Sequence, residues 1–173
     1  MTDRLQTPQD LEKAFLKWNK AIYSYIYLRI QNRETAEDIS QEVFMNAWRS
    51  RDTFNPAKAS LKSWLFTIAI NEIRDYITKL SNKKTTNLDK IAEKIPDDKE
   101  EITDKIYKDE KLHLINKKLN LLGEKYKTII ILRYQQDMSV KEISEILNIE
   151  YSSTKVSLFR AIHRLQELCE DEN

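Results

Sequence analysis

One glycine and three prolines in 173 residues leave this chain almost without the punctuation that non-helical folds require. Tight hairpins draw on Asn-Gly, Asp-Gly or Gly-Gly pairs, and phosphate-cradling loops need several glycines close together. Hairpins, strand-rich sandwiches and glycine-lined nucleotide sites are therefore excluded. What remains is a set of helices joined by polar connections. Charged residues at 33% against 40% hydrophobic ones imply small cores and a large wet surface. The length suits one medium domain or two small ones.

The aromatic residues decide between those two options. Trp18, Trp48 and Trp64, with four of the five Phe, all precede residue 81. Residues 81–111 are dominated by Lys, Asp and Glu, with Pro96 in their midst and isolated aliphatics at Leu88, Ile91, Ile95, Ile102 and Ile106, the composition of a solvated tether. Apolar density returns at Leu112, Leu114, Ile115, Leu119 and Leu122. The expected class is all-α: an N-terminal helical bundle over 8–80, a charged flexible linker over 81–111 and a smaller C-terminal helical domain over 112–170.

Charge is balanced in every part. Residues 1–80 hold 12 basic and 10 acidic side chains, residues 81–112 hold 8 and 9, and residues 113–173 hold 9 and 9. Attraction to a nucleic-acid backbone grows with the number of phosphates neutralised, so binding by the free chain should be weak unless a local basic face or a partner assists. Arg4, Lys13, Lys17, Lys20 and Arg29 interrupt the first thirty residues, and the aliphatic run Ile129 to Leu132 falls far short of the ~20 residues of a spanning helix. No direct membrane insertion is expected, and a cytoplasmic location is. A lone Cys169 with His113 and His163 can build neither an internal disulfide nor a metal set, and nothing asks for a cofactor.

Helical periodicity places the motifs. Phe15, Trp18, Ile22 and Ile26 form one stripe. Thr35 with Asp38 reads as the capped start of a second helix, with Ile39, Val43 and Ala47 inward and Asp38, Glu42, Met45 and Arg49 outward. A polar loop from Asp52 to Ser60 carries one unexplained aromatic, Phe54, before Leu61, Trp64, Leu65, Ile68 and Ile73 resume the helical period. In the last third, Ser139 and Glu142 make a capping box ahead of Ile143, Ile146 and Leu147. Asn148 then offers a left-handed turn, and Ser152-Ser153 can cap a helix with Thr154, Leu158, Ala161, Ile162 and Leu165 inward. Two short helices about a tight turn make a helix-turn-helix, whose outer face would present Ser153, Val156, Ser157 and Arg160 with Lys155 and Phe159 on its shoulders.

These residues resemble the extracytoplasmic-function sigma factors of the sigma-70 family, the specificity subunits of bacterial RNA polymerase. Ala36 to Arg49 is similar to the family's polymerase-binding helix. Trp64-Leu65, Ile68-Ala69, Asn71 and Asp75 match its −10 helix, and Leu132-Arg133-Tyr134, Ser139, Glu142-Ile143, Glu145-Ile146-Leu147, Lys155, Leu158 and Arg160-Ala161 match its −35 module. The resemblance implies a transcription initiation factor and not an enzyme. Asp38, Gln41, Glu42, Met45 and Trp48 would dock on the β′ clamp helices. Phe54, Asn55, Ser60, Trp64, Asn71 and Lys79 would hold the −10 non-template strand, with Lys83 and Lys84 as further phosphate contacts. Ser152, Ser153, Lys155, Val156, Ser157, Phe159 and Arg160 would meet the −35 duplex. It further implies contact with the β flap and masking by an anti-sigma factor. Asp137 and Ser152 stand where the family has glycine, Ser157 where a basic residue is common, and Val156 where a small polar one is usual.

Two other classes compete. A freestanding helix-turn-helix regulator explains the C-terminal domain but leaves the tryptophan-rich one without a task. An enzyme built on Glu37, Asp38 and Glu42 lacks a nucleophile or a facing carboxylate, since adjacent helical positions point apart.

Overall fold

The computed structural model describes residues 5–86 and 117–170 and divides into two compact units, residues 1–95 and 96–173. Every regular element among the described residues is helical. The residues expected to form most of the tether, including Ile91, Ile95, Ile102 and Ile106, lie outside the described residues, as do Leu112, Leu114 and Ile115.

In the first unit, α1 (Pro8–Ile30) begins with Thr7 as its cap and Pro8 in its first turn, where a missing N–H costs nothing. Thr7 N–H donates to the Asp10 carboxylate at 2.9 Å, and Asp10 N–H donates back to Thr7 Oγ1 at 3.2 Å. The Thr7 hydrogen bonds, that of its side chain foremost, hold the Asp10 carboxyl below its ordinary value. Of the expected stripe, Ile22 and Ile26 are fully buried and Trp18 is half-buried. Phe15 is 39% exposed but rests edge-on against Phe44 with ring centroids 5.0 Å apart. Gln31 ends α1 in the left-handed conformation at φ 55°.

The second helix, α2 (Arg33–Arg49), starts earlier than Thr35 and Asp38 suggest. Asn32 is its cap, accepting the Thr35 N–H at 2.9 Å, so Thr35 already lies inside the first turn. Once Gln31 turns left-handed, the next extended residue with a short polar side chain is Asn32, and it takes the free amide first. Ile39, Val43 and Ala47 are buried as expected, joined by Ala36, Ser40 and Phe44. A single 3₁₀ turn (Arg51–Thr53) leads through the loop to α3 (Leu61–Thr86). That helix continues past residue 80, so the expected start of the tether falls inside it.

The three helices pack pairwise around Ile22, Tyr25, Ile26, Val43, Leu65, Phe66 and Ala69. Tyr25 meets Phe66 edge-to-face at 5.5 Å. Each large side chain buried here contributes about 1.5–3 kcal/mol relative to exposure, which is what fixes the outward faces. Two polar ties set the register: Ser40 Oγ donates to Asn19 Oδ1 at 3.0 Å between α2 and α1, and Asn46 Nδ2 donates to Glu72 Oε1 at 2.6 Å between α2 and α3.

In the second unit, α4 (Glu124–Ile130) widens into a π-helical turn (Ile131–Gln135). Asp137 follows at φ 51°, and the Arg133 guanidinium donates to the Met138 carbonyl at 2.9 Å to close the connection. The next helix, α5 (Val140–Leu147), carries the expected capping box of Ser139 and Glu142, and Asn148 ends it left-handed at φ 50°, ψ 48°. The last helix, α6 (Tyr151–Glu170), begins one residue before Ser152, so Ser152 and Ser153 belong to its first turn and do not cap it. Thr154, Ser157 and Ala161 form its buried face.

Candidate polymerase and nucleic-acid interfaces

On α2, Asp38, Gln41, Glu42 and Met45 are all exposed and recur at three- and four-residue steps, so they form one stripe backing directly onto Ile39, Val43 and Ala47. Met45 is 49% exposed, a large apolar side chain held in water between acidic and amide neighbours. Trp48 is less available. It is half-buried, the Arg51 guanidinium lies 4.3 Å from its ring centroid, and the same guanidinium donates to the Trp48 carbonyl at 2.8 Å. Its ring is thus already stacked against a cation at the end of the helix. Arg49 was placed outward, and it bonds Asn46 Oδ1 at 3.0 Å and lies 3.8 Å from the Glu42 carboxylate.

The loop aromatic finds a specific neighbour. Phe54 and Trp64, both half-buried, have ring centroids 5.1 Å apart, an apolar wall at the start of α3. Asn71 lies two helical turns further on along the same side, about 10 Å away at 1.5 Å per residue, and is exposed. Its Oδ1 accepts from Arg74 Nη1 at 3.3 Å. Asn55 is exposed but engaged locally, its side chain accepting the Ala57 N–H at 2.9 Å. Ser60 is exposed and engaged at the start of the helix: its hydroxyl accepts the Ser63 N–H at 3.1 Å and donates to Ser63 Oγ at 3.0 Å. Lys79 is exposed further along α3; the side chains of Lys83 and Lys84 lie outside the described residues.

On α6, Ser152, Ser153, Lys155, Val156, Phe159 and Arg160 are exposed and share the outer half of the helix. Lys155 Nζ sits 5.2 Å from the Tyr151 ring centroid, which steadies the ammonium without neutralising it. Ser157 must be removed from this set. It is only 6% exposed and faces inward with Thr154 and Ala161. A three-residue step from Thr154 places it on the buried row, and a small hydroxyl side chain allows the close approach there.

An open groove of about 560 Å³ runs beside Phe159 and Arg160, bounded across from them by Leu121, Leu122 and Tyr126. Phe159 is 71% exposed and Leu121 62%, so the groove presents apolar surface to water. At its far end, Arg164 donates to Glu167 at 2.8 Å, and His163 lies 3.2 Å from the same carboxylate. The Arg164 hydrogen bond, with His163 adding to it, holds the Glu167 carboxyl below its ordinary value. Phe159 and Arg160 thus stand where the recognition face meets a groove that sequence reasoning missed. Exposed Leu121 was the available sign, obscured because the buried Leu122 follows it. No described helix is long and apolar enough to cross a membrane.

A helical bundle followed by a helix-turn-helix unit, each with a polar stripe opposed to its core, defines a two-site adaptor. The family profile Sigma-70 region 2 matches residues 14–83 and Sigma-70 region 4 matches residues 112–165. RNA polymerase sigma factor SigV of Bacillus subtilis is 33% identical over 152 residues, covering 86% of each chain. SigW of the same organism is 31% identical over 158 residues, covering 87% of this chain and 83% of its own. Among solved structures, the sigma factor RpoE of Bartonella quintana, in complex with the anti-sigma factor NepR, aligns with a TM-score of 0.75 at 25% identity, over 95% of this chain and 99% of that one. The chain belongs to the sigma-70 family, as an extracytoplasmic-function sigma factor: a transcription initiation factor that recognises promoters as part of RNA polymerase.

Proposed function

We propose that the α2 stripe of Asp38, Gln41, Glu42 and Met45 docks on the β′ clamp helices, that Phe54, Trp64 and Asn71 capture the exposed −10 non-template strand, and that α6 holds the −35 duplex. The observation that carries this reading is the exposed acidic, amide and methionine stripe on the back of a helix whose other side is fully buried. Acidic and amide groups pair with basic residues of a helical partner, and Met45 supplies adaptable apolar contact at the centre. An extruded base needs an apolar wall to replace lost stacking and an amide to read its edge, which Phe54–Trp64 and Asn71 supply. Ser152, Ser153, Lys155, Val156 and Arg160 approach the major groove, with Lys155 and Arg160 on phosphates or guanine edges.

The protein acts by position. Core polymerase performs the phosphodiester chemistry, the chain works in the cytoplasm, and residues 8–80 and 112–170 act as the two grips with the intervening segment as tether. The apolar groove beside Phe159 receives the β flap and, before induction, an anti-sigma factor; the complex of RpoE with NepR supports the latter. Reconstitution with purified core enzyme tests the whole reading. Promoter-specific run-off transcripts should appear only when both proteins are present, and tight specific binding of duplexes without polymerase would favour the freestanding regulator instead.

A further inference from the structure

The Asn71 side chain is held by one end only. Arg74, one turn later on α3, places Nη1 3.3 Å from Asn71 Oδ1. A guanidinium has donors and no acceptor, so the amide atom facing it must be the oxygen. The amide NH₂ is then directed away from Arg74, exposed and without a hydrogen bond among the described residues. Asn46 shows the contrast: its Nδ2 donates to Glu72 at 2.6 Å and its Oδ1 accepts from Arg49 at 3.0 Å, so both ends of that amide are held. Arg74 has no acidic residue three or four positions away on its own helix and makes no ion pair among the described residues.

We infer that Arg74 is a specificity-determining positioning residue: it locks the Asn71 amide with its NH₂ outward, so that the captured −10 base is read through a hydrogen-bond acceptor on its edge. An unrestrained asparagine rotates by half a turn and offers donor or acceptor as the base demands, which tolerates several bases. A restrained one rejects a base that presents only a donor at that point, because two facing donors leave both groups unpaired. The inference rests on the proposed role of Asn71 in strand capture.

The test uses holoenzyme reconstituted with the full chain and fluorescent non-template oligonucleotides bearing each of the four bases in turn at every −10 position. Asn71→Ala should flatten the base preference at one position. Arg74→Ala should flatten it at that same position, from about tenfold to about twofold, the scale of one hydrogen bond, while leaving affinity for core polymerase and the melting temperature unchanged. Arg74→Lys, which keeps a donor, should restore part of the preference. If Asn71→Ala alters the profile and Arg74→Ala does not, the positioning role is overturned. If Asn71→Ala itself leaves every position unchanged, the assignment of Asn71 to the −10 strand fails first, and the inference with it.

Discussion

Asn46 and Asp38 lie two turns apart on the same helix and do opposite work. Asn46 is spent internally, its amide bridging Glu72 on α3 and Arg49 on its own helix, whereas exposed Asp38 makes no side-chain hydrogen bond or ion pair among the described residues. Asn46→Ala should therefore cost stability, leaving a half-buried carboxylate without its donor. About 1.5–3 kcal/mol is expected for a bond to a charged group, read as a lower midpoint in urea unfolding. Asp38→Ala combined with Glu42→Ala should leave that midpoint in place and weaken core-polymerase binding by about tenfold, ~1.4 kcal/mol, in a competition assay; unchanged affinity would remove the stripe from the docking face. Arg160→Ala should lower promoter occupancy by holoenzyme and reduce the slope of log affinity against log salt by about 1, whereas an unaltered slope would take Arg160 off the phosphates. At this scale the sequence was a good guide to direction and a poor one to partners. Exposure of Asp38, Glu42 and Arg160 follows from helical spacing. The bonds of Ser60 to Ser63 and of Arg51 to the Trp48 carbonyl each span only three residues, but a reading for apolar stripes does not register such polar ties.

Helix ends carry much of the element-scale information. The capping box of Ser139 and Glu142 was legible because a short motif reports a local interaction, and Asn148 ends α5 as its side chain permits. The caps of α2 and α6 were misplaced by one to three residues, since several polar residues stood in line and only the three-dimensional path chose among them. Among the described residues, three that are not glycine take the left-handed region, Gln31, Asp137 and Asn148, while the one glycine of the sequence, Gly123, sits at φ −60°. Left-handed backbone costs most L residues ~1–2 kcal/mol, partly offset on substitution by the entropy glycine loses. Gln31→Gly should accordingly raise stability by about 0.5–1 kcal/mol in thermal unfolding, while Asn148→Gly should be nearly neutral because Asn already tolerates that region. At the start of α1 the Asp10 carboxyl is held below its ordinary 3.8, so its cap is intact above that pH and is lost as pH falls through the lower folded value. An NMR titration should place the Asp10 midpoint below 3.8, and Thr7→Val should move it upward.

For the molecule as a whole, the class and the division into two helical units were readable, because a scarcity of breakers and the clustering of tryptophans act over long stretches. The groove at Phe159 was not, since it depends on how α6 lies against its neighbours, whereas the inward turn of Ser157 stood in its three-residue step from Thr154 and was overlooked. With near-zero net charge in each unit, free chain should bind a promoter duplex at least about a hundredfold more weakly than holoenzyme does in the same buffer, as linked weak sites predict. Equal affinities would count against the division of labour.

The reach of α3 bears on how such a division operates. Its 26 residues extend for about 39 Å, yet beyond Tyr76 every described side chain, from Ile77 to Asn82, faces water. The apolar anchors of the helix, Leu65, Phe66, Ala69 and Ile73, all precede that stretch. Its amides should therefore exchange with deuterium orders of magnitude faster than those near Ala69.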